Sequence, residues 1–211
     1  MAPEASAPGG VPEAIAADLA RVRAGLARSG RPSSDFDLNP PVTLPPGRRL
    51  RVAAVLVPLW PAPDGLRVVL TKRSSHLKHH PGQIAFPGGK VEPEDGGPVA
   101  AALRESREEI GLDPAGVGIL GTMPEHETVT GYTVTPVVGL IPAGFAPVPE
   151  AGEVDEVFAV PFAHLADPGR YRVERRLWRG QWRSYYVVPW GPYYIWGATA
   201  RMLRALADRL G

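Results

Sequence analysis

The stretch FPGGKVEPEDGGPVAAALRESREEIGL, residues 86–112, places three glutamates within one helical turn: Glu105, Glu108 and Glu109. Apolar residues recur over residues 98–110 with the spacing of an amphipathic helix, and Gly111 follows where a left-handed cap is expected. At about 100° per residue, the glutamates cluster beside the apolar residues. The stretch therefore predicts a helix with one buried face and one carboxylate face.

The carboxylate face carries an electrostatic cost. Each like-charged pair at this spacing costs about 0.2–0.5 kcal/mol, and the helix dipole disfavours anions near the C-terminus. Arg104 lies four residues before Glu108, so we expect an ion pair between them. A hard dication such as Mg²⁺ or Mn²⁺ would convert the repulsion into coordination. Taken alone, the glutamates also fit an ordinary solvated helix face.

The surrounding residues resemble the signature of the Nudix hydrolases. Gly89 is followed after five residues by an acidic residue, Asp95, and the helix then carries the pattern R-E-x-x-E-E-x-G-L, residues 104–112. The chain departs from the signature by Asp in place of Glu at position 95 and by eight rather than seven residues before Arg104. Ser106 stands at a position that is usually apolar, where we expect a buried hydroxyl bonded to a backbone carbonyl.

Strand-like and helix-like segments are mixed along the chain, which predicts an α+β fold or an α/β sandwich. The resemblance implies the Nudix fold, a mixed β-sheet packed between helices. We expect a flexible tail at 1–11, an N-terminal helix and proline-rich linker at 12–46, and the Nudix hydrolase domain at 47–211. In chain order, the sequence further predicts a helix at 12–29, strands at 51–60, 66–73, 84–86, 117–123, 132–141 and 156–161, a hairpin at 171–188, and a helix beginning at about Tyr193.

The composition excludes several classes of protein. A formal net charge of +1 argues against a dedicated nucleic-acid binder, and the absence of Cys excludes disulfides and thiolate chemistry. No apolar run approaches the roughly 20 residues that span a bilayer, so we expect no membrane contact and a cytoplasmic location. The N-terminal helix is expected to pack on the domain or to form a homodimer contact.

A second stretch, VLTKRSSHLKHHPGQIAFPGG at 69–89, is similar to the coenzyme A pyrophosphatase branch of the family. Three later stretches, at 131–139, 153–161 and 195–203, also look like that branch. The resemblance implies hydrolysis of the diphosphate of coenzyme A, giving 3′,5′-ADP and 4′-phosphopantetheine or its acyl form. Nucleotide sugars and dinucleoside polyphosphates are alternative substrates, and a non-catalytic nucleotide-binding module is a further alternative.

The residues of this second stretch suit a phosphorylated substrate. The candidate substrate-binding residues are Lys72, Arg73, His76, His80 and Gln83. Arginine can contact phosphate through two parallel hydrogen bonds, and an amide side chain can donate one. Solvated cations and structural histidines are the alternative interpretation. A zinc site at His76, His79 and His80 is less favoured, because no helix and no further soft ligand is expected there.

The resemblance also implies a division of roles within the site. Glu105, Glu108 and Glu109, with the backbone carbonyl of Gly88 or Gly89, would hold Mg²⁺ or Mn²⁺ as cofactor, and Arg104 would orient the carboxylates. The general base is Glu105 or a loop carboxylate, for which Glu153 is preferred over Glu150 and Glu156. Tyr132 and Trp196 are predicted to pack in the core.

Overall fold

A computed structural model of the protein describes residues 12–39, 47–178 and 180–211. The helices within these ranges are α1 (Glu13–Ala27), α2 (Pro98–Ile110), α3 (Phe162–Leu165) and α4 (Gly197–Leu210). The strands are β1 (Ser33–Ser34), β2 (Arg51–Ala62), β3 (Gly65–Arg73), β4 (Ile84–Ala85), β5 (Gly88–Lys90), β6 (Gly118–Thr122), β7 (His126–Glu127), β8 (Tyr132–Leu140), β9 (Val154–Pro161), β10 (Arg172–Trp178) and β11 (Gln181–Val187). The predicted tail, residues 40–46 of the predicted linker and Arg179 at the predicted hairpin turn lie outside the described residues.

Strand β2 is the centre of a mixed sheet. It runs parallel to β8 and antiparallel to both β5 and β3, while β9 extends the sheet beyond β3. Having neighbours on both sides buries most of its residues, which explains its nearly continuous apolar sequence. Pro58 lies between the part of β2 that pairs with β5 and the part that pairs with β3. Its missing N–H is therefore tolerated within a central strand.

Helices cover both faces of this sheet. Helix α2 packs on one face in a cluster that includes Leu56, Val69 and Ile110. Helices α1 and α4 pack on the other face, where the larger cluster includes Val57 and Leu203. Neighbouring residues of β2 thus point to opposite clusters, as strand geometry requires. The predicted sandwich, a mixed sheet between helices, is confirmed.

Helix α1 joins the larger cluster through its apolar face. Ile15 and Val22 are buried, and the helix packs against α4. Gly25 lets the two helices approach closely, because a Cβ at this position would lie 2.9 Å from the carbonyl oxygen of Arg209. The prediction that the N-terminal helix packs on the domain is confirmed, and the dimer contact stays a prediction.

Two predicted boundaries are wrong for reasons of local pairing. The C-terminal helix begins at Gly197 rather than Tyr193, because Tyr193 forms a β-bridge with Trp190 and the chain stays extended through Trp196. The predicted strand at 84–86 ends at Ala85, and a separate strand that was not predicted, β5, follows and pairs with β2.

The predicted linker contains one strand that its sequence does not indicate. Ser33 and Ser34 form β1 and pair in parallel with β7. The side chain of Ser33 is hydrogen-bonded to His126 Nδ1 at 2.9 Å, and both residues are buried. Neither strand has an alternating apolar pattern, so the pairing depends on these polar contacts.

The Gly88→Ala variant is expected to be strongly destabilised. Gly88 has φ of +154°, and a Cβ there would lie 2.4 Å from the Ala54 carbonyl oxygen and 2.6 Å from Val55 Cα. Backbone atoms cannot yield as a flexible side chain can, so we expect a loss of about 3 kcal/mol or more in the free energy of unfolding, measured by denaturant titration.

Gly96→Ala is the matched control. A Cβ at position 96 meets nothing within 4 Å, so the change should stay within about 0.5 kcal/mol. Equal stability of the two variants would contradict the close packing of β5 against β2.

Candidate active site

Helix α2 presents its carboxylates as predicted. Its C-cap, Gly111, is left-handed with φ of 69°, and its N–H donates to the Arg107 carbonyl at 3.0 Å. The buried Ser106 hydroxyl donates to the Ala102 carbonyl at 2.6 Å, so the expected hydrogen bond is confirmed. Ala102 and Ile110 are fully buried against the sheet. This packing fixes the rotation of the helix and turns Glu105 and Glu109 towards β5.

Arg104 connects the loop before α2 to the carboxylates. Its Nε and Nη2 donate to the two carboxylate oxygens of Asp95, both at 3.0 Å. Its Nη1 donates to Glu105 at 3.0 Å and to Glu108 at 3.1 Å, which confirms the expected pair with Glu108. Hydrogen bonding to Arg104 lowers the pKa of Asp95 below its usual range. The extra residue between Asp95 and Arg104 therefore does not separate these two side chains.

Glu109 is a buried carboxylate, and few protein groups stabilise its negative charge. Its side chain accepts from the Gly88 N–H at 3.1 Å and lies 3.9 Å from Arg73 Nη1, while the residue is only 3% exposed. Burial raises the pKa of Glu109 to about 8, although the Gly88 amide and the Arg73 charge act in the opposite direction. Burial also raises the pKa of Glu105. Cationic charge at this position would stabilise both ionised carboxylates.

Gly89 brings the backbone of β5 against the carboxylate of Glu105. A Cβ on Gly89 would lie 2.4 Å from Glu105 Cδ, so only glycine leaves room for this approach. The donor set of three carboxylates beside a backbone strand suits a hard dication. Within the described residues, however, no three acidic or histidine side chains already surround a common point. Arg104 and the Gly88 amide engage their oxygens instead.

The loop between β8 and β9 borders the same carboxylates. The Glu150 N–H donates to the Glu109 carbonyl at 2.9 Å, and the Ser74 N–H donates to the Glu153 carbonyl at 2.8 Å. These bonds join the end of α2 to the end of β3. The exposed Glu153 side chain lies close enough for its charge to raise the pKa values of both Glu105 and Glu109.

The other two candidate carboxylates have partners of their own, and Glu156 lies on β9 rather than in the loop as predicted. Glu150 accepts from the Gly152 N–H at 2.8 Å, and Glu156 accepts from the Tyr193 hydroxyl. Of these three candidate bases, Glu153 is thus the one whose side chain makes no hydrogen bond within the described part of the chain.

A cavity of about 560 Å³ adjoins the carboxylates through Arg73. Arg73, His80 and Gln83 line it, whereas Lys72 and His76 do not. Partial desolvation at the cavity wall and the Arg73 charge lower the pKa of His80. Three of the five predicted substrate-binding residues therefore share one wall, on the segment that leads from β3 to β4.

One aromatic residue of this cavity was predicted to pack in the core. Trp196 is half-buried and lines the cavity, so its assignment to the core is wrong, and its ring packs edge-on against Tyr185 at a centroid distance of 5.2 Å. Tyr132 packs partly against the core as expected, beneath the guanidinium of Arg51. The position of Trp196, one residue before α4, turns it towards the cavity rather than the sheet.

The zinc alternative finds no support in the described residues. His76, His79 and His80 are all exposed, and no cluster of three acidic or histidine side chains is formed there or elsewhere in the described ranges. His80 instead has a positive φ of 56° at the turn that leads to Gln83. The segment is a turn bordering the cavity.

Comparisons with known proteins agree with this architecture. A family model described as NUDIX domain matches residues 49–181. The Uncharacterized Nudix hydrolase NudL of Escherichia coli strain K12 is 43% identical over 162 residues, which cover 76% of this chain and 83% of that protein. The protein of the same name from Shigella boydii serotype 18 has the same identity and coverage.

Solved structures are more distant. The Nudix hydrolase RenU from M. smegmatis is 28% identical, with 56% of this chain and 74% of that chain covered and a TM-score of 0.47. A MutT/nudix family protein from Enterococcus faecalis is 17% identical, with 80% and 65% covered and a TM-score of 0.48. At these TM-scores the two structures say nothing further about the site.

The matched region contains the carboxylate helix, the Arg104 contacts and the strands that hold them. None of the described helices is long and apolar enough to cross a membrane. With a family model matched over residues 49–181 and a relative of 43% identity, this chain belongs to the Nudix family and is a Nudix hydrolase.

Proposed function

We propose that the enzyme hydrolyses the diphosphate bond of coenzyme A or a derivative, releasing 3′,5′-ADP and 4′-phosphopantetheine or its acyl form. The position of Arg73 is the observation that carries the proposal. This side chain lines the cavity and lies 3.9 Å from the buried carboxylate of Glu109. A nucleotide in the cavity would present its phosphates to Arg73 beside the carboxylate face.

The proposed cofactor is Mg²⁺ or Mn²⁺, held by the carboxylates of Glu105, Glu108 and Glu109 and the backbone carbonyl of Gly89. When bound, such an ion neutralises phosphate oxygens and lowers the pKa of water. The donor set supports this assignment, because hard dications prefer oxygen ligands. So does the burial of Glu109, whose nearest cation in the structure is 3.9 Å away.

The other side chains are proposed to position the substrate and to accept a proton from the attacking water. Arg104 holds Glu105 and Glu108 in place through its contacts with Asp95. Glu153 is the proposed general base, since its backbone is anchored beside the carboxylates and its side chain is exposed. Water would attack a phosphorus of the diphosphate, and the charge of the leaving group would be balanced by Arg73.

His80 and Gln83 are proposed to bind the nucleotide from the same wall as Arg73. Lys72 and His76 lie outside the cavity wall, and their contact with substrate stays a prediction. The 69–89 stretch and the mixture of cations with apolar surface in the cavity support coenzyme A over simpler nucleotides. A homodimer and a cytoplasmic location also stay predictions.

Incubation of the protein with coenzyme A and Mg²⁺ or Mn²⁺ should yield 3′,5′-ADP and 4′-phosphopantetheine, identified by mass spectrometry. Water attack on the diphosphate leaves one of its two phosphates on each product, and the 3′-phosphate stays on the nucleotide. A nucleotide sugar and a dinucleoside polyphosphate serve as competing substrates. A higher kcat/KM for either of these would replace coenzyme A as the proposed substrate, and a lack of turnover on all three would favour a binding module.

Replacement of Glu109 by Gln should lower kcat by roughly two to three orders of magnitude while the fold is retained. The substitution keeps the size of the side chain but removes the negative charge that the dication requires. Circular dichroism checks the fold. Glu94→Gln is the matched control, because Glu94 is exposed and precedes α2. Unchanged turnover in Glu109→Gln would reject the metal-site assignment.

In chelator, Glu109→Gln should also be more stable than the natural protein, with a difference that grows as pH rises. The unfolded carboxyl ionises near 4.5 and the folded one near 8. Between these values the unfolded state binds fewer protons, so the natural protein loses stability with rising pH. We expect a gain of at least about 1 kcal/mol for the variant at pH 8.

Thermal melts from pH 5 to pH 8 measure this difference. Glu94→Gln is again the control, because that side chain is exposed and precedes α2. A constant difference in melting temperature across this range would show that the Glu109 carboxyl is not perturbed by burial.

A further inference from the structure

The hairpin of β10 and β11 places two arginines directly opposite each other. Arg176 pairs with Arg183 in the antiparallel register, and both line the cavity described above. Like charges at directly opposed positions destabilise a pair of strands. Tyr185, two residues from Arg183 and therefore on the same face, lines the cavity as well. This face of the hairpin thus directs positive charge to the cavity.

The cavity wall has little negative charge to compensate these arginines. Asp35 is the one acidic residue among the described residues that line it. The two oxygens of Asp35 contact His126 Nε2 at 3.2 Å and the Val129 N–H at 2.9 Å. Arg176 makes no ion pair with any residue that the structure describes. Among the described residues that line the wall, basic side chains therefore outnumber acidic ones.

Neighbouring groups do not reverse this excess. Glu174 lies on the same face of β10, but its carboxylate accepts from the Tyr194 hydroxyl at 2.6 Å. The first turn of α4 also lines the cavity, and Trp196 at its N-cap is extended and provides no side-chain cap. The free amides of a first helical turn add positive potential. The two hairpin arginines are the main source of positive charge on this wall, and the N-terminus of α4 adds to it.

We propose that Arg176 and Arg183 bind a phosphomonoester of the substrate, separate from the diphosphate that Arg73 holds. Two guanidinium groups facing one cavity suit a compact dianion, which each can contact through paired hydrogen bonds. The inference rests on the proposed function and narrows it. The substrate class is a nucleoside diphosphate derivative with an additional phosphate elsewhere on the nucleotide. Coenzyme A has such a group, whereas dephospho-coenzyme A and nucleotide sugars do not.

The first test compares kcat/KM for coenzyme A and dephospho-coenzyme A, which differ only in the phosphomonoester. We expect the natural protein to prefer coenzyme A by about tenfold or more, equivalent to about 1.4 kcal/mol. In the double variant Arg176→Gln, Arg183→Gln the ratio should fall to about one. Arg175→Gln is the matched control, because Arg175 lies on the opposite face of β10, over the ring of Trp182. That control should keep the natural preference.

The second test measures binding without turnover. Calorimetry in chelator compares adenosine 3′,5′-bisphosphate with adenosine 5′-monophosphate. The natural protein should bind the bisphosphate about tenfold more tightly, and the double variant should bind both alike. Circular dichroism checks folding. If the double variant does not fold, Arg176→Gln alone gives the same comparison. Arg176 forms no ion pair with any described residue, so its replacement breaks none.

The outcomes separate this inference from the proposed function. A natural protein that cleaves both substrates equally, or a double variant that retains the preference, overturns the phosphomonoester site while hydrolysis of coenzyme A stands. A preference for the bisphosphate in calorimetry that is lost in the double variant, without hydrolysis of coenzyme A, supports the site and overturns the proposed function. Equal binding of the two nucleotides by the natural protein also overturns the site.

Discussion

The candidate active site depends on one guanidinium, that of Arg104, which contacts three carboxylates at once. Arg104 donates two hydrogen bonds to the loop residue Asp95 and one each to Glu105 and Glu108 on the helix. A single cation thus relieves the repulsion between carboxylates and ties the loop to the helix. Glu109 is outside this arrangement, and its burial leaves it dependent on the Gly88 amide and on Arg73. The negative charge of Glu109 is therefore only weakly stabilised, whereas the other carboxylates of the cluster are paired with Arg104.

The parts of the site that lie on one continuous helix could be predicted from the sequence. Helical periodicity indicated which face of α2 is buried, and the glycine after it indicated the cap. The Arg104–Glu108 pair and the Ser106 hydrogen bond follow from spacings of four residues, which are fixed by helix geometry. Such local distances do not depend on how the rest of the chain folds.

The parts that bring distant segments together could not be predicted in the same way. The bond of Asp95 to Arg104 depends on the path of a loop that includes two glycines. Trp196 was assigned to the core because it is large and aromatic, but the extended residues before α4 turn it towards the cavity. The pairing of β1 with β7 depends on Ser33 and His126, which are not apolar. In each case the deciding contact is formed between residues far apart in sequence or in a loop without periodicity.

The loop between β8 and β9 has a consequence for how the enzyme can diversify. Main-chain amides and carbonyls hold this loop to α2 and β3, so these two anchors do not depend on the side chain at position 153. Replacement of Glu153, the proposed general base, would change the proton acceptor while the carboxylates of α2 keep their places. On this proposal, the base can be exchanged during evolution without rebuilding the scaffold that carries it.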